Sequence, residues 1–593
     1  MASRFSINID YYTMGNATPI RIANSLGNGM SIGIQGTSSL RYNSKNYEIY
    51  MGQDDEGKDV LVQMREDWLP ENRYTLKADV MDSSHVNNIL VGSIVNGLVT
   101  TEDAQGQTVK VVPMDNTPPM SKSGYQYASK VKHTSEGYPC ILFINFKATG
   151  SNVSTCRCMG IYNFNLGRYA YYNLGLKLLS SITYADESEV YPRAVSAYTE
   201  ETEIESGSPV YSMEVQENSA IAMFDQDDPD ILGEGVFEFP YDSDGQGMTN
   251  LGKLLNFLAA FGYNIETDKK RYIQNDWRTP KLKKIDGTWQ ESGEYYPSYD
   301  PVNYVKSTLD LHMNWNNMVS YYMIAIIFGL VDSMAKNLTL RSWTKSNSGD
   351  NIWYMCFYDM DTALRVNNVG AETVPYNAHL HRYYTDTTSI AEARVTNHCP
   401  SISGVFNQEY SGYNTRLQEI VENCVLDSAD AKTLQSVYRE LRTNLFPDPE
   451  AFIEKYYVGQ INKVGAALYN YDYYLKYLQV EKTYNPATGK YGDNTYNYSE
   501  ISYLHGNGSA NVKDWFVKRI RFLDGVYGLG TGGSNGITGI NNTPLASSWL
   551  DNNATYITNI SPTSIALQLT AESQMRTTIA TSGEANSFWI DEM

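Results

Sequence analysis

The sequence predicts an α+β protein with a strand-rich N-terminal lobe, a mainly helical second lobe, and a hairpin of two apolar strands set among the helices. Three observations carry this. Apolar residues alternate through "MSIGIQGTSSLRYNSKNYEIYMG" (Met30–Gly52), the period of a half-buried strand. They recur at helical spacing in "MTNLGKLLNFLAAFGY" (Met248–Tyr263) and across residues 300–337. Between the helical stretches, "LTLRSW" and "NIWYMCFY" flank the polar turn "TKSNSGD" (Thr344–Asp350). With 593 residues, of which 42% are hydrophobic, the chain can bury several cores, and its length suggests two to four domains.

Taken in order, residues 1–30 read as an N-terminal extension. Residues 31–184 form the strand-rich lobe: "YTLKADVMDSSHVNNILV" passes from a strand into an amphipathic helix, with Asp82 or Ser83 as its N-cap. "GYPCILFINFK" and "CRCMGIYNFNLGR" follow as two further strands, and an insert of about residues 100–135 precedes them. Residues 185–300 are an acidic insertion and lobe connection. Asp186–Asp244 holds seventeen acids against Arg193 alone, a net of −16 out of the chain's −21. A solvated surface segment is the expectation there, with "DQDDPD" (Asp225–Asp230) as a weak calcium candidate. Residues 301–528 are the helical lobe, in which the aromatic "LYNYDYYLKYL" reads as a helix packed on both sides. From Leu529 a Gly/Asn/Thr-rich linker leads to "ATYITNISPTSIALQLTAES", so 529–593 reads as a linker and β-rich assembly arm.

Composition excludes some functions. Nucleic-acid binding needs clustered Lys and Arg to neutralise phosphates, and a net charge of −21 argues against it. The N-terminal stretch has no apolar h-region, and "YYMIAIIFGLV" is half the length a bilayer span needs, so no membrane insertion is expected. Six scattered cysteines make no disulfide framework, and Cys156-x-Cys158 has no second pair to complete a zinc site. Forty-eight tyrosines beside 19% charged residues suit a chain whose surfaces are buried against neighbours, as a homo-oligomer or hetero-assembly.

The chemistry concentrates around the hairpin. Asp332 and Asn337 precede its first strand, while Asp359 and Asp361 follow its second, so these side chains converge at one end. Phosphoryl transfer needs an Asp near the acceptor hydroxyl and oxygen ligands that hold magnesium across nucleotide phosphates. In the protein-kinase design the base Asp precedes a metal-binding Asn by five positions, and a metal Asp follows later; Asp332, Asn337 and Asp359 keep that order and spacing. Taken alone, Asp332 and Asn337 also suit a turn, Asp359 and Asp361 suit helix caps, and Lys77 suits a solvated strand position. His379-x-His381 reads as a surface loop in preference to a metal pair.

Several pieces of the chain resemble the CotH spore-coat kinase family of atypical kinases, which also occur in bacterial surface proteins and phage genomes. "GTSSLRYNSKNYEI" resembles the family's N-lobe opening, with Ser39, Arg41 and Lys45 in familiar places. "YTLKADVMDSSHVNNILV" resembles its Lys-bearing strand and helix, "MGIYNFN" its G-x-Y strand, "GLVDSMAKNLTL" its catalytic loop, "FYDMDTALRVNNVG" its metal loop and "WFVKRIRFLDGVY" its closing helix.

The resemblance spans about Ser31 to Tyr527 and implies a two-lobed protein-kinase-like fold. It further implies Asp332 as base, Asn337, Asp359 and Asp361 as Mg²⁺ ligands, Lys77, or in its place Lys45, against ATP phosphates, and Arg41 as a further cofactor-binding residue. The family's G-x-Y strand usually continues to a Glu; Leu166 stands near that place here. Two functions fit. One is an ATP- and Mg²⁺-dependent kinase acting on Ser or Thr of coat or particle proteins; the other is a catalytically silent component of a phage tail, neck or virion. Both place the chain at a virion or particle surface, the alternative being the cytoplasm of the producing bacterial cell.

Overall fold

The alternating segments pair into one large sheet in the computed structural model, which is mixed α+β. The structure describes residues 4–12, 18–22, 29–36, 44–116, 124–147, 154–201, 208–215, 237–261, 280–285, 288–295, 307–330, 333, 337–366, 376, 421, 426, 430–473, 475, 483–485, 490–492, 508–527 and 586–592. The large sheet contains β1 (Arg4–Tyr12), β2 (Ile20–Ile22), β3 (Ser31–Gln35), β4 (Asn46–Tyr50), β6 (Arg73–Lys77), β9 (Gly137–Lys147), β10 (Ser154–Asn165) and β21 (Asn586–Glu592). Their order is β2-β1-β21-β9-β10-β6-β4-β3, and β1 also pairs with β3, which closes a ring. A closed ring leaves few free strand edges.

Two assignments differ from the sequence boundaries. The first thirty residues supply β1 and β2, whose Ile7, Ile9, Tyr11 and Ile22 are buried in the core of the sheet. The C-terminal strand β21 lies inside the same sheet, antiparallel to β1 and parallel to β9.

A three-stranded sheet of β11 (Leu178–Tyr184), β12 (Arg193–Glu201) and the short β5 (Val62–Gln63) lies apart from it. Small hairpins are formed by β7 (Thr100–Glu102) with β8 (Thr108–Lys110), β15 (Pro280–Ile285) with β16 (Thr288–Tyr295), and β19 (Thr483–Asn485) with β20 (Lys490–Gly492). The expected central hairpin forms as β17 (Leu338–Lys345) and β18 (Asn351–Phe357), with Leu338 opposite Phe357. It is extended by β13 (Tyr211–Val215) and β14 (Phe237–Asp242) in the order β14-β13-β17-β18. Part of the acidic insertion is therefore sheet, while Asp225–Asp230 lies outside the described residues.

Among the described residues the helices are α1 (Asn87–Val95), α2 (Gly247–Phe261), α3 (Trp315–Phe328), α4 (Leu434–Asn444), α5 (Pro449–Ile453), α6 (Gly459–Val464), α7 (Ala466–Tyr473) and α8 (Gly508–Val526), with a π turn at Glu454–Val458. Helix α3 is buried almost all round, which explains the apolar run from Tyr321 to Phe328. Among the described residues no helix is long and apolar enough to cross a membrane.

Helix α1 is likewise buried on nearly every side, where an amphipathic helix was expected. It begins at Asn87, later than an Asp82 or Ser83 cap implies. Asp82 still serves the helix end, because its carboxylate accepts the Asn87 backbone N–H (2.8 Å) and the Ser84 N–H (2.9 Å). Two main cores result: one inside the ring sheet, and one joining α1, α3, the hairpin and the later helices.

Candidate functional site

Lys77 ends β6 in the ring sheet, and Asp359 follows β18 of the hairpin sheet, so different long-range pairings position the two residues. They meet where the cores adjoin. The Lys77 ammonium is 3.6 Å from the Asp359 carboxylate and 5.5 Å from the centre of the Tyr358 ring. The Lys77 side chain is 9% exposed and that of Asp359 29%, so the pair opens to solvent on the acid's side. Burial alone would push the Lys77 ammonium down, but the acids Asp359, Asp79 and Asp361 around it more than offset this and hold it well above the ordinary lysine range. Burial pushes Tyr358 up to about 12, so it faces Lys77 as a neutral ring at pH 7.

The Asp359–Asp361 loop is clamped from both sides. Asn87 at the start of α1 donates from its amide to the backbone oxygens of Asp361 and Ala363, both at 3.0 Å. The neighbouring Asn88 accepts the Met360 N–H at 3.1 Å. On the other side the Leu364 N–H donates to the Phe328 carbonyl at the end of α3. Asp359 sits at φ 55°, Asn337 at φ 55° and Asp79 at φ 40°, left-handed conformations that Asn and Asp tolerate better than most residues. Such backbone clusters at functional sites more often than elsewhere.

Asn337 directly precedes β17, and the Leu338–Phe357 pairing puts it at the same end of the hairpin as Tyr358 and Asp359. Asp361 is half-buried in the same loop. Asp332, Arg41 and Ser39 lie outside the described residues, as do His379 and His381. Lys45 is half-buried just before β4, at the end of the sheet where Lys77 stands, since Asn46 accepts the Ala78 N–H at 2.7 Å. Burial lowers the Lys45 pKa. Among the described residues no group of three His, Cys, Asp or Glu side chains is placed to hold a metal ion.

Four further residues belong to this neighbourhood. Asp79, two positions after Lys77 and fully enclosed, has its carboxyl pushed up to about 6 by burial, with Asp82 and Asp359 adding and His85 and Lys77 opposing. Asn163 of β10, opposite Lys77 in the sheet, donates to the Asp79 carboxylate and to the His85 carbonyl. Glu214 of β13, opposite Thr339, is buried; burial raises its pKa, and Arg168 and Lys77 pull the other way. Arg168 bonds the carboxylates of Glu214 at 2.6 Å and Glu238 at 2.8 Å.

The spacing in "LKAD" was a usable pointer to Asp79. Nothing local marks Glu214, which enters through strand pairing from the acidic insertion. Leu166, at the place where the resemblance leads one to expect an acid, is buried in the core of the ring sheet.

The G-x-Y strand has a structural use as well. Gly160 lies at a bulge in β10 with φ +94°, where an added Cβ would stand 2.3 Å from a carboxylate oxygen of Asp472. Fully buried Asp472, from α7, accepts the Ile161 N–H at 2.8 Å and lies 2.9 Å from His85 Nε2. Tyr469 of the same helix donates to the Ser84 carbonyl at 2.6 Å. The helical part thus grips the loop that carries α1, and through α1 it grips the Asp359 loop.

Comparison of the chain with models of known protein families and with curated proteins finds no match.

Proposed function

We propose that this is a kinase-like protein of a virion or surface assembly that binds Mg²⁺-ATP at Lys77, Asn337, Asp359 and Asp361 and transfers the γ-phosphate to Ser or Thr of coat or particle proteins. The observation that carries this reading is the 3.6 Å approach of Lys77 to Asp359 across two separate sheets, with Asp361 and Asn337 at the same mouth. A cation on a strand and acids on a facing loop are what polyphosphate and magnesium require together. Magnesium keeps several waters and takes one or two protein carboxylates along with phosphate oxygens. Two acids and an amide fit that need without a three-acid cage.

When bound, Mg²⁺ would supply the charge neutralisation that phosphoryl transfer needs. Asp359 and Asp361, in a loop fixed by Asn87 and Asn88, would hold the metal; Lys77 would take the phosphates as a point charge; and Asp332 would orient the acceptor hydroxyl. The second reading, a silent structural component of a phage tail, neck or virion, is favoured by Leu166, an apolar core residue where the resemblance calls for an acid.

The test joins binding to transfer. Protein is melted with and without millimolar Mg²⁺-ATP, and labelled γ-phosphate is followed on protein, with Asp359→Asn as control. A ligand that binds only the native state at a hundred times its Kd stabilises by about 2.7 kcal/mol. A melting shift and labelling that both vanish in Asp359→Asn support the kinase. A shift without labelling supports a nucleotide-binding scaffold, and no shift supports the silent component.

A further inference from the structure

The C-terminal strand β21 is the last piece of the ring sheet, and the chain reaches it from far away. Helix α8 ends at Val526, and residues 528–585 separate Tyr527 from the strand. On one side β21 pairs antiparallel with β1, from Ile7 opposite Glu592 to Tyr12 opposite Ser587. On the other it pairs parallel with β9, from Asn586 opposite Cys140 to Asp591 opposite Asn145. Without β21 the edges of β1 and β9 would face each other across a one-strand gap, because β1 is held independently by β3 and β9 by β10. The gap is therefore a strand-acceptor groove in which both walls are built by the rest of the sheet, and its affinity comes from main-chain hydrogen bonds on two sides.

We infer that this groove also accepts β21 from a second copy of the chain, so that exchange of the C-terminal strand joins neighbouring protomers. Fifty-eight intervening residues span at most about 200 Å when extended, so chain length does not confine the strand to its own sheet. The pairs formed in exchange are the same as those formed within one chain, so exchange changes little in contact energy and is governed by concentration. A tethered strand competes at an effective concentration on the order of millimolar. Closed single chains are then expected in dilute solution, and exchange where copies are crowded, as they are inside an assembly.

The experiment uses two full-length forms. The first carries Asn586→Cys with Cys140→Ala; the second is the native chain, tagged, which keeps Cys140. Asn586 and Cys140 are directly opposite in the sheet, within the Cα separations a disulfide bridges. In a mixture under mild oxidation, a disulfide between position 586 of one chain and Cys140 of the other forms only if β21 has crossed between them.

The expected result is a mixed dimer on a non-reducing gel that grows in proportion to concentration and reaches about a tenth of the protein near 0.5 mM. A chain with Asn586→Cys and native Cys140 serves as the companion measurement and should close on itself at micromolar concentration. Closure within single chains with no mixed dimer at any concentration overturns the exchange. Absence of closure in the companion, with position 586 open to alkylation, overturns the groove itself.

Discussion

Replacing Gly160 with alanine tests how the helical part holds the β6–α1 loop. Two penalties are legible. At φ +94° a non-glycine residue pays backbone strain of about 1–3 kcal/mol. The new Cβ would also stand 2.3 Å from Asp472 Oδ1, so the carboxylate must leave the Ile161 N–H and His85. Disrupting such a buried arrangement costs about 2–4 kcal/mol. Gly160→Ala should therefore destabilise by roughly 5 kcal/mol and, for a chain of this length, lower Tm by about 4 °C.

The assay is denaturant and thermal unfolding of Gly160→Ala, Asp472→Ala and the double variant. If the clash acts through Asp472, removing that carboxylate first leaves only the backbone part, and the second substitution adds about 1–3 kcal/mol. Additive losses, or a Gly160→Ala loss below about 1 kcal/mol, would refute the reasoning.

Buried Glu71 accepts the backbone and side-chain N–H groups of Asn173 at 2.7 and 2.9 Å, yet burial pushes its pKa up to about 8 from 4.5. The native state then holds this proton more tightly than the unfolded chain, so its contribution is complete below pH 4.5 and is lost as pH rises through 8. Glu71→Gln should match the parent in stability near pH 4 and exceed it at pH 8–9 in parallel urea titrations; equal stability at both values argues against the buried acid. Asn87→Ala removes both donors to the Asp359 loop and should cost about 1–3 kcal/mol while weakening any Mg²⁺-ATP melting shift more than it weakens the apo fold. Arg168→Met leaves Glu214 buried without its cation and should destabilise by roughly 2–4 kcal/mol. Adding Glu214→Gln should then recover part of the loss, and no recovery in the double variant would mean that Arg168 acts through Glu238 instead.

The local pieces were legible in the sequence, because each rests on a pattern written into a short stretch. The hairpin of β17 and β18 follows from two apolar runs around a Ser/Asn/Gly turn, helix α3 from apolar residues recurring at helical spacing, and β9 and β10 from their strand-like composition. Asn337, Asp359 and Asp361 were legible because they flank that hairpin, and Lys77 because it ends an alternating strand.

Which pieces meet was settled by long-range packing. The resemblance singled out Lys77 and Asp359 as candidates, but their 3.6 Å approach depends on how the two sheets lie against each other, and no local period encodes that. Glu214 arrives through pairing of β13 with β17 across more than a hundred residues of chain, and β21 closes a sheet that begins at residue 4. The physical reason is common to both. Helical and strand periods record which face of a segment is buried, but backbone pairing is made by N–H and C=O groups that every non-proline residue carries. The choice of partner strand therefore leaves little local trace and is settled by what fits once the cores have formed.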